Sequence, residues 1–276
     1  MPSSDKAAPA PLYLELAPPA GAPAPIDHFF IFRDCGLLSG PGTGRFATDL
    51  FTLSLTLRAG ADRRHRLRLD LAPPRPAFSP RSAPFEGAIA GMRLDAAPRL
   101  LPSERNLDAL TRALLAMARN GEAWAPLVAA LDQLACDLTF SGSHFALTSA
   151  RSERRRVRAA TGTSGRRLTV IRRFRTVLDG LAARDQALSE LALDAGYYDQ
   201  SHMSAACRAF AGAPPGVLRR LAGARASGRF FQDQGLETRL RLVIDPRRGA
   251  DRPCPVSSRR TPISMHACAT VSDAKR

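Results

Sequence analysis

Arginine is the side chain whose number and placement in this chain could do chemistry. Lys and Arg total 40 against 25 Asp and Glu, a formal net charge of +15, and only Lys6 and Lys275 are lysines. A guanidinium offers a planar fork of donors that matches carboxylate or phosphate geometry. Residues 1–138 carry 15 basic against 14 acidic side chains, 139–222 carry 14 against 6, and 223–276 carry 11 against 5. A balanced first half followed by a basic second half points to a polyanionic partner for the second, because neutralising phosphates releases condensed counterions.

Other chemistries find less support. Cys35, Cys136, Cys207, Cys254 and Cys268 lie far apart without a CxxC pair, and the five histidines form no HxH or HExxH. Neither a disulfide framework nor a zinc site is expected, and no cofactor or catalytic residue. The run Gly40-Pro-Gly-Thr-Gly44 lacks the Gly-Lys-Ser/Thr ending of a phosphate loop and reads as a hairpin connection. No apolar run is long enough to span a membrane. The start of the chain lacks the charge pattern of a signal peptide, so a cytoplasmic, nucleoid-associated location is expected.

The elements that must position the arginines follow from periodicity. Residues 1–26, rich in Pro and Ala, are expected to form a disordered arm. Residues 27–138 are expected to form a β-rich domain ending in two helices. Phe51, Leu53, Leu55 and Leu57 recur at period two, as do Leu67, Leu69 and Leu71. From Ser103, a candidate N-cap, Leu107, Leu110, Leu114 and Met117 recur at helical spacing, and Asn120-Gly121 closes the segment. A second helix from about Ala123 to Leu138 places Leu127, Leu131 and Leu134 on one face. This helical pair either packs on the β domain or serves as a dimerisation hairpin. Residues 223–276 read as a basic, largely disordered tail that alternates only from Thr238 to Ile244.

Between these lies an internal repeat. Ser149–Gly165 (SARSERRRVRAATGTSG) and Asp199–Pro215 (DQSHMSAACRAFAGAPP) align without a gap at an offset of 50, matching Arg158 with Arg208, Ala159 with Ala209 and Gly162 with Gly212. Each copy reads as a capped helix ended by glycine. Ahead of the second, Leu188, Leu191 and Ala192 make a short helix stopped at Ala195-Gly196. A short helix, a glycine turn and a capped second helix make a helix-turn-helix.

ALSELALDAGYYDQSHMSAACRAFAGAPPGVLRRL resembles the second helix-turn-helix of the AraC/XylS regulators in its Ala-Gly-Tyr turn, its Asp-Gln-Ser-His start and its Gly212-x-x-Pro215 ending. Arg151–Ser164 resembles the first recognition helix, and Leu168–Leu181 the helix joining the two. The resemblance covers residues 139–222. It implies an α+β chain: a β-rich, cupin-like N-terminal domain with a helical hairpin, then an all-α double helix-turn-helix domain. It also implies double-stranded DNA as the partner, with RNA polymerase, a small-molecule effector and a second copy of the chain as further partners.

Carried over by position, Arg151, Arg154 and Arg155 in the first helix and Gln200, Ser201, His202 and Ser204 in the second are the implied base contacts. Arginine pairs bidentately with guanine and glutamine with adenine. Arg158, Arg208, Arg219 and Arg220 are the implied phosphate contacts, with Gly162, Gly196, Gly212 and Pro215 as structural turns. The chain departs from the family pattern at Ala205, Cys207, Val157 and Gly165, and Ser141, Gly142 and Ser143 make a poor first helix of residues 139–148. An alkyltransferase or cupin-type enzyme fused to the same module would need a reactive Cys-His motif or clustered metal ligands. A sequence-indifferent architectural binder is the third reading.

Overall fold

A computed structural model describes residues 12–35, 44–59, 65–80, 85–120, 124–140, 150–183, 186–221, 236, 238–244 and 265–266. The N-terminal domain is built on strands β1 (Leu12–Leu16), β2 (Ile26–Cys35), β4 (Phe51–Ala59), β5 (His65–Ala72), β7 (Glu86–Leu94) and β8 (Leu240–Ile244). They form one antiparallel sheet in the order β5-β4-β7-β2-β1-β8. The two-residue strands β3 (Gly44–Arg45), β6 (Ser79–Pro80) and β9 (Met265–His266) make a small second sheet.

Alternation decides what each face of the large sheet does. Leu12, Leu14 and Leu16, Phe29 and Ile31, Leu53, Leu55 and Leu57, and Ala88, Ala90 and Met92 share one face. Against it pack α1 (Glu104–Asn120) and α2 (Trp124–Asp137) through Leu110, Leu114, Met117, Leu127, Leu131 and Leu134. Each fully buried leucine contributes about 1.5–3 kcal/mol of transfer free energy. The hairpin's apolar faces are therefore spent on the sheet. Ser103 does precede α1, and its carbonyl accepts from Asn106 and Leu107. Its hydroxyl, however, donates to Asp137 at the end of α2 over 2.7 Å, and Asn106 donates to the same carboxylate over 2.6 Å. That network ties the hairpin's open ends together.

Two sequence expectations need correction. Part of the expected arm is sheet, Leu12–Leu16 as β1 and Ile26 as the first residue of β2: Leu14 and Leu16 are wholly buried and Tyr13 pairs with Phe32. In the sequence, the Leu-Tyr-Leu-Glu-Leu alternation is masked by its proline-rich flanks. The stretch of the expected tail that alternates, Thr238–Ile244, supplies β8, which belongs to the N-terminal sheet by pairing with β1. Arg239 holds it there with a two-pronged bond to Asp132 (2.9 and 2.8 Å) and a bond to the Ala17 carbonyl. Of the expected hairpin connection Gly40–Gly44, residues 40–43 lie outside the described residues and Gly44 opens β3. Of the first copy's first helix, expected over 139–148, residues 141–148 lie outside them, and Phe140 forms a bridge to Pro98 rather than a helical turn.

Candidate nucleic-acid interface

The arginine-rich segment forms α3 (Ala150–Thr161), followed by α4 (Gly165–Ala183), α5 (Leu188–Asp194), α6 (Gln200–Ala211) and α7 (Pro215–Leu221). α3 and α6 each have 12 residues and start 50 residues apart, as do α4 and α7. Gly162 and Gly212 end the two helices with φ of 68° and 72°, and their amides bond the carbonyls of Arg158 and Arg208. Only glycine holds that left-handed conformation without strain, so the repeat is one of backbone geometry as well as sequence.

The second helix-turn-helix is assembled from the turn outward. Gly196 takes φ 78° between α5 and α6, and Tyr197 turns inward, 4% exposed. Asp199 adopts extended backbone and its carboxylate accepts the His202 amide over 2.7 Å, satisfying one orphan donor of α6. Met203, Cys207 and Phe210 face the core, leaving Gln200, Ser201, His202 and Arg208 exposed and Ser204 half-buried. The His202 ring stands edge-on to Tyr197 at 5.2 Å, which orients it. Burial pushes the Tyr197 hydroxyl and the Cys207 thiol each up to about 12, in keeping with core roles.

α4 is the axis. Ile171, Phe174, Val177 and Leu181 are buried against α5 and α6 residues in one cluster. Phe174, fully buried and 5.5 Å from the Phe210 ring, was not anticipated from the leucine periodicity. α3 is far more open. Arg151, Arg154, Arg155 and Arg158 are exposed and Val157 is only half-buried. Of the expected phosphate contacts, Arg208 is exposed, whereas Arg219 donates to the Gln186 carbonyl over 2.8 Å and buries its Nε. The side chain of Arg220 lies outside the described residues. Tyr198, 86% exposed beside the α6 start, is a residue the sequence did not single out.

Other arginines of α4 turn to the β domain. Arg172 pairs with Asp49 (3.0 Å), and Arg175 approaches Asp27 (3.4 Å) and Asp49 (3.8 Å). The Ala47 and Phe78 amides donate to the Phe210 and Ala209 carbonyls, and Arg167 donates to Pro76. Phe46 packs edge-on to Phe174 at 6.3 Å. Burial alone would raise the Asp27 carboxyl, but its hydrogen bond to His28 and the charges of His28, Arg175 and Arg241 hold it below the ordinary range. Asp179, on the same face of α4, is pushed up to about 6, first by desolvation and then by Glu15. The β domain thus grips the back of the helical domain while the polar starts of α3 and α6 stay open.

A family model described as a helix-turn-helix domain matches residues 142–221, a span that contains α3 to α7. This segment is a helix-turn-helix domain. A β-rich sheet domain precedes it, so the α+β layout expected from the sequence is the one observed. Such a domain is a DNA-binding module of transcription regulation. The chain is also similar to two crystal structures of ToxT from Vibrio cholerae, one of them an apo lysine-to-alanine variant. Identity is 11% to both, with TM-scores of 0.33 and 0.31 over 75% and 77% of this chain and 96% and 98% of theirs. No curated protein matches the chain. Among the described residues, no three side chains group as metal ligands and no helix is long and apolar enough to cross a membrane.

Proposed function

We propose that the chain is a sequence-specific transcription regulator whose AraC-type domain reads an operator through α3 and α6. The observation that carries this reading is the matched pair of 12-residue helices, each stopped by a left-handed glycine, with polar N-terminal turns facing solvent. Arg151, Arg154 and Arg155, with Gln200, Ser201, His202 and Ser204, contact base edges in successive major-groove segments; each well-made bidentate pair discriminates by about 1–3 kcal/mol. Arg158 and Arg208 position the backbone, as does Arg220, while Arg219 acts through the bond that joins α7 to Gln186.

The domain division follows: a sensing and dimerising unit within residues 27–138, extended by β1 and β8, and a reading unit over 139–222. A small effector acts on the first unit, and RNA polymerase is the partner of the second. The sheet face opposite the helices supports an effector site, for it buries the Ser54 and Thr56 hydroxyls, which have no hydrogen-bond partner among the described residues. Selection of bound sequences from a random DNA pool tests the proposal. Arg155→Ala and Gln200→Ala are each expected to weaken the selected site by about 5- to 150-fold while changing random DNA far less. Equal loss on both would leave an architectural, sequence-indifferent binder.

A further inference from the structure

β5 is an edge strand. Among the described residues it pairs only with β4, so one row of its backbone donors and acceptors is open along about 27 Å. Leu67 and Leu71 are 44% and 38% exposed on the face that carries the apolar core, and Leu69 lies half-buried between them. α1 packs on β4 and β7 and leaves these leucines uncovered. On the opposite face, Arg66 and Arg68 are exposed and Asp70 is buried, with Arg68 reaching Asp70 over 2.9 Å. Long apolar edges invite pairing with another strand, and isolated charges on them ordinarily discourage it.

Here the charges are arranged to complement the strand itself. We infer that β5 is a self-association surface: two copies of the chain pair antiparallel through β5, about a two-fold axis at Leu69 perpendicular to the sheet. In that register Leu69 faces its own mate, Leu67 faces the mate of Leu71, and Arg68 faces the mate of Asp70 on the other side. Opposite charges directly across a pair of strands are favourable and like charges are not. Centring the axis at Arg68 or Asp70 sets identical charges against each other, and centring it at Leu67 sets Arg66 against Arg68. Centring it at Arg68 does bring Arg66 opposite the mate of Asp70, but only with Arg68 against its own mate; the axis at Leu69 alone sets opposite charges face to face with no like pair beside them. An interface of this kind is isologous, as closed dimers require. The inference rests on the dimerising role proposed for the N-terminal unit and gives it a surface; a dimer that survives L67K/L71K would overturn the surface while leaving that role standing.

Sedimentation of the full chain at tens of micromolar is expected to show a dimer. Placing lysines at both positions in L67K/L71K sets like charges across the axis and is expected to give a monomer with an unchanged far-ultraviolet circular dichroism spectrum. Separately, L69C is expected to oxidise to a covalent dimer whose mapped disulfide is 69 to 69, since directly opposed antiparallel residues have Cα atoms about 4.5–5.5 Å apart. The surface assignment is overturned by a monomeric parent chain, by a dimer that survives L67K/L71K, or by absence of the 69–69 cross-link.

Discussion

Arg172 Nε lies 3.0 Å from Asp49 Oδ2, so a residue of the helix that organises the DNA-binding domain is bonded to the segment leading into β4. Asp49 is almost wholly enclosed (side chain 1% exposed) while Arg172 remains 60% exposed. The acid therefore depends on its partners more than the base does. Asp49→Ala is expected to destabilise the contact between domains, and Arg172→Ala to do so less, because Arg175 also reaches the carboxylate. A double-mutant cycle in urea unfolding is expected to show coupling of about 1 kcal/mol. Additive effects of the two changes would disprove the coupling.

The same contact is expected to respond to pH. Docking raises the Asp179 carboxyl to about 6 from its ordinary 3.8, first by desolvation, so the ionised form opposes docking. As pH falls from 7 through 6, Asp179 takes up a proton in the docked form and the domains hold more tightly. The full shift would be worth about 3 kcal/mol, and the solvent-facing part of the side chain screens this to about 1 kcal/mol. Asp27 acts oppositely, since its lowered carboxyl supports docking until pH drops below the ordinary carboxylate range. Hydrogen exchange at the Ala47 and Phe78 amides between pH 7 and 5, corrected for intrinsic rate, reads the effect. Asp179→Asn is expected to flatten it.

The two glycine stops are not equivalent. A Cβ at Gly162 meets nothing within 4 Å, whereas at Gly212 it lies 2.8 Å from the Phe78 ring. Gly162→Ala is expected to cost only the strain of positive φ, about 1 kcal/mol. Gly212→Ala adds displacement of Phe78 and is expected to cost about twice that. Thermal denaturation of the two variants checks the order, and a larger loss at Gly162 would contradict it.

Cysteine reactivity offers a direct check on the core. Cys207 is 1% exposed and burial pushes its thiol up to about 12, while Cys136 is exposed on α2. Iodoacetamide at neutral pH, followed by peptide mapping, is expected to label Cys136 readily and Cys207 only after unfolding. Labelling of native Cys207 at a comparable rate would mean that α6 does not pack as described.

Much of the helical domain was legible in the primary sequence because its determinants are local. Glycines that need positive φ, an Asp before a polar turn, and apolar residues at helical spacing act within a few positions, so the 50-residue repeat and the α5-turn-α6 unit could be read directly. The period-two leucines of β4 and β5 were legible for the same reason. What the tertiary fold decided is non-local. The alternation of Thr238–Ile244 could be read, but not that it pairs with Leu12–Leu16, more than 220 residues away, and closes the edge of that sheet; the strand at Leu12–Leu16 itself was hidden by its proline-rich surroundings. Phe46, Phe78, Asp27 and Asp49 gain their role only by meeting α4 and α6. No spacing along the chain records that meeting, which depends on how two independently patterned domains fit together.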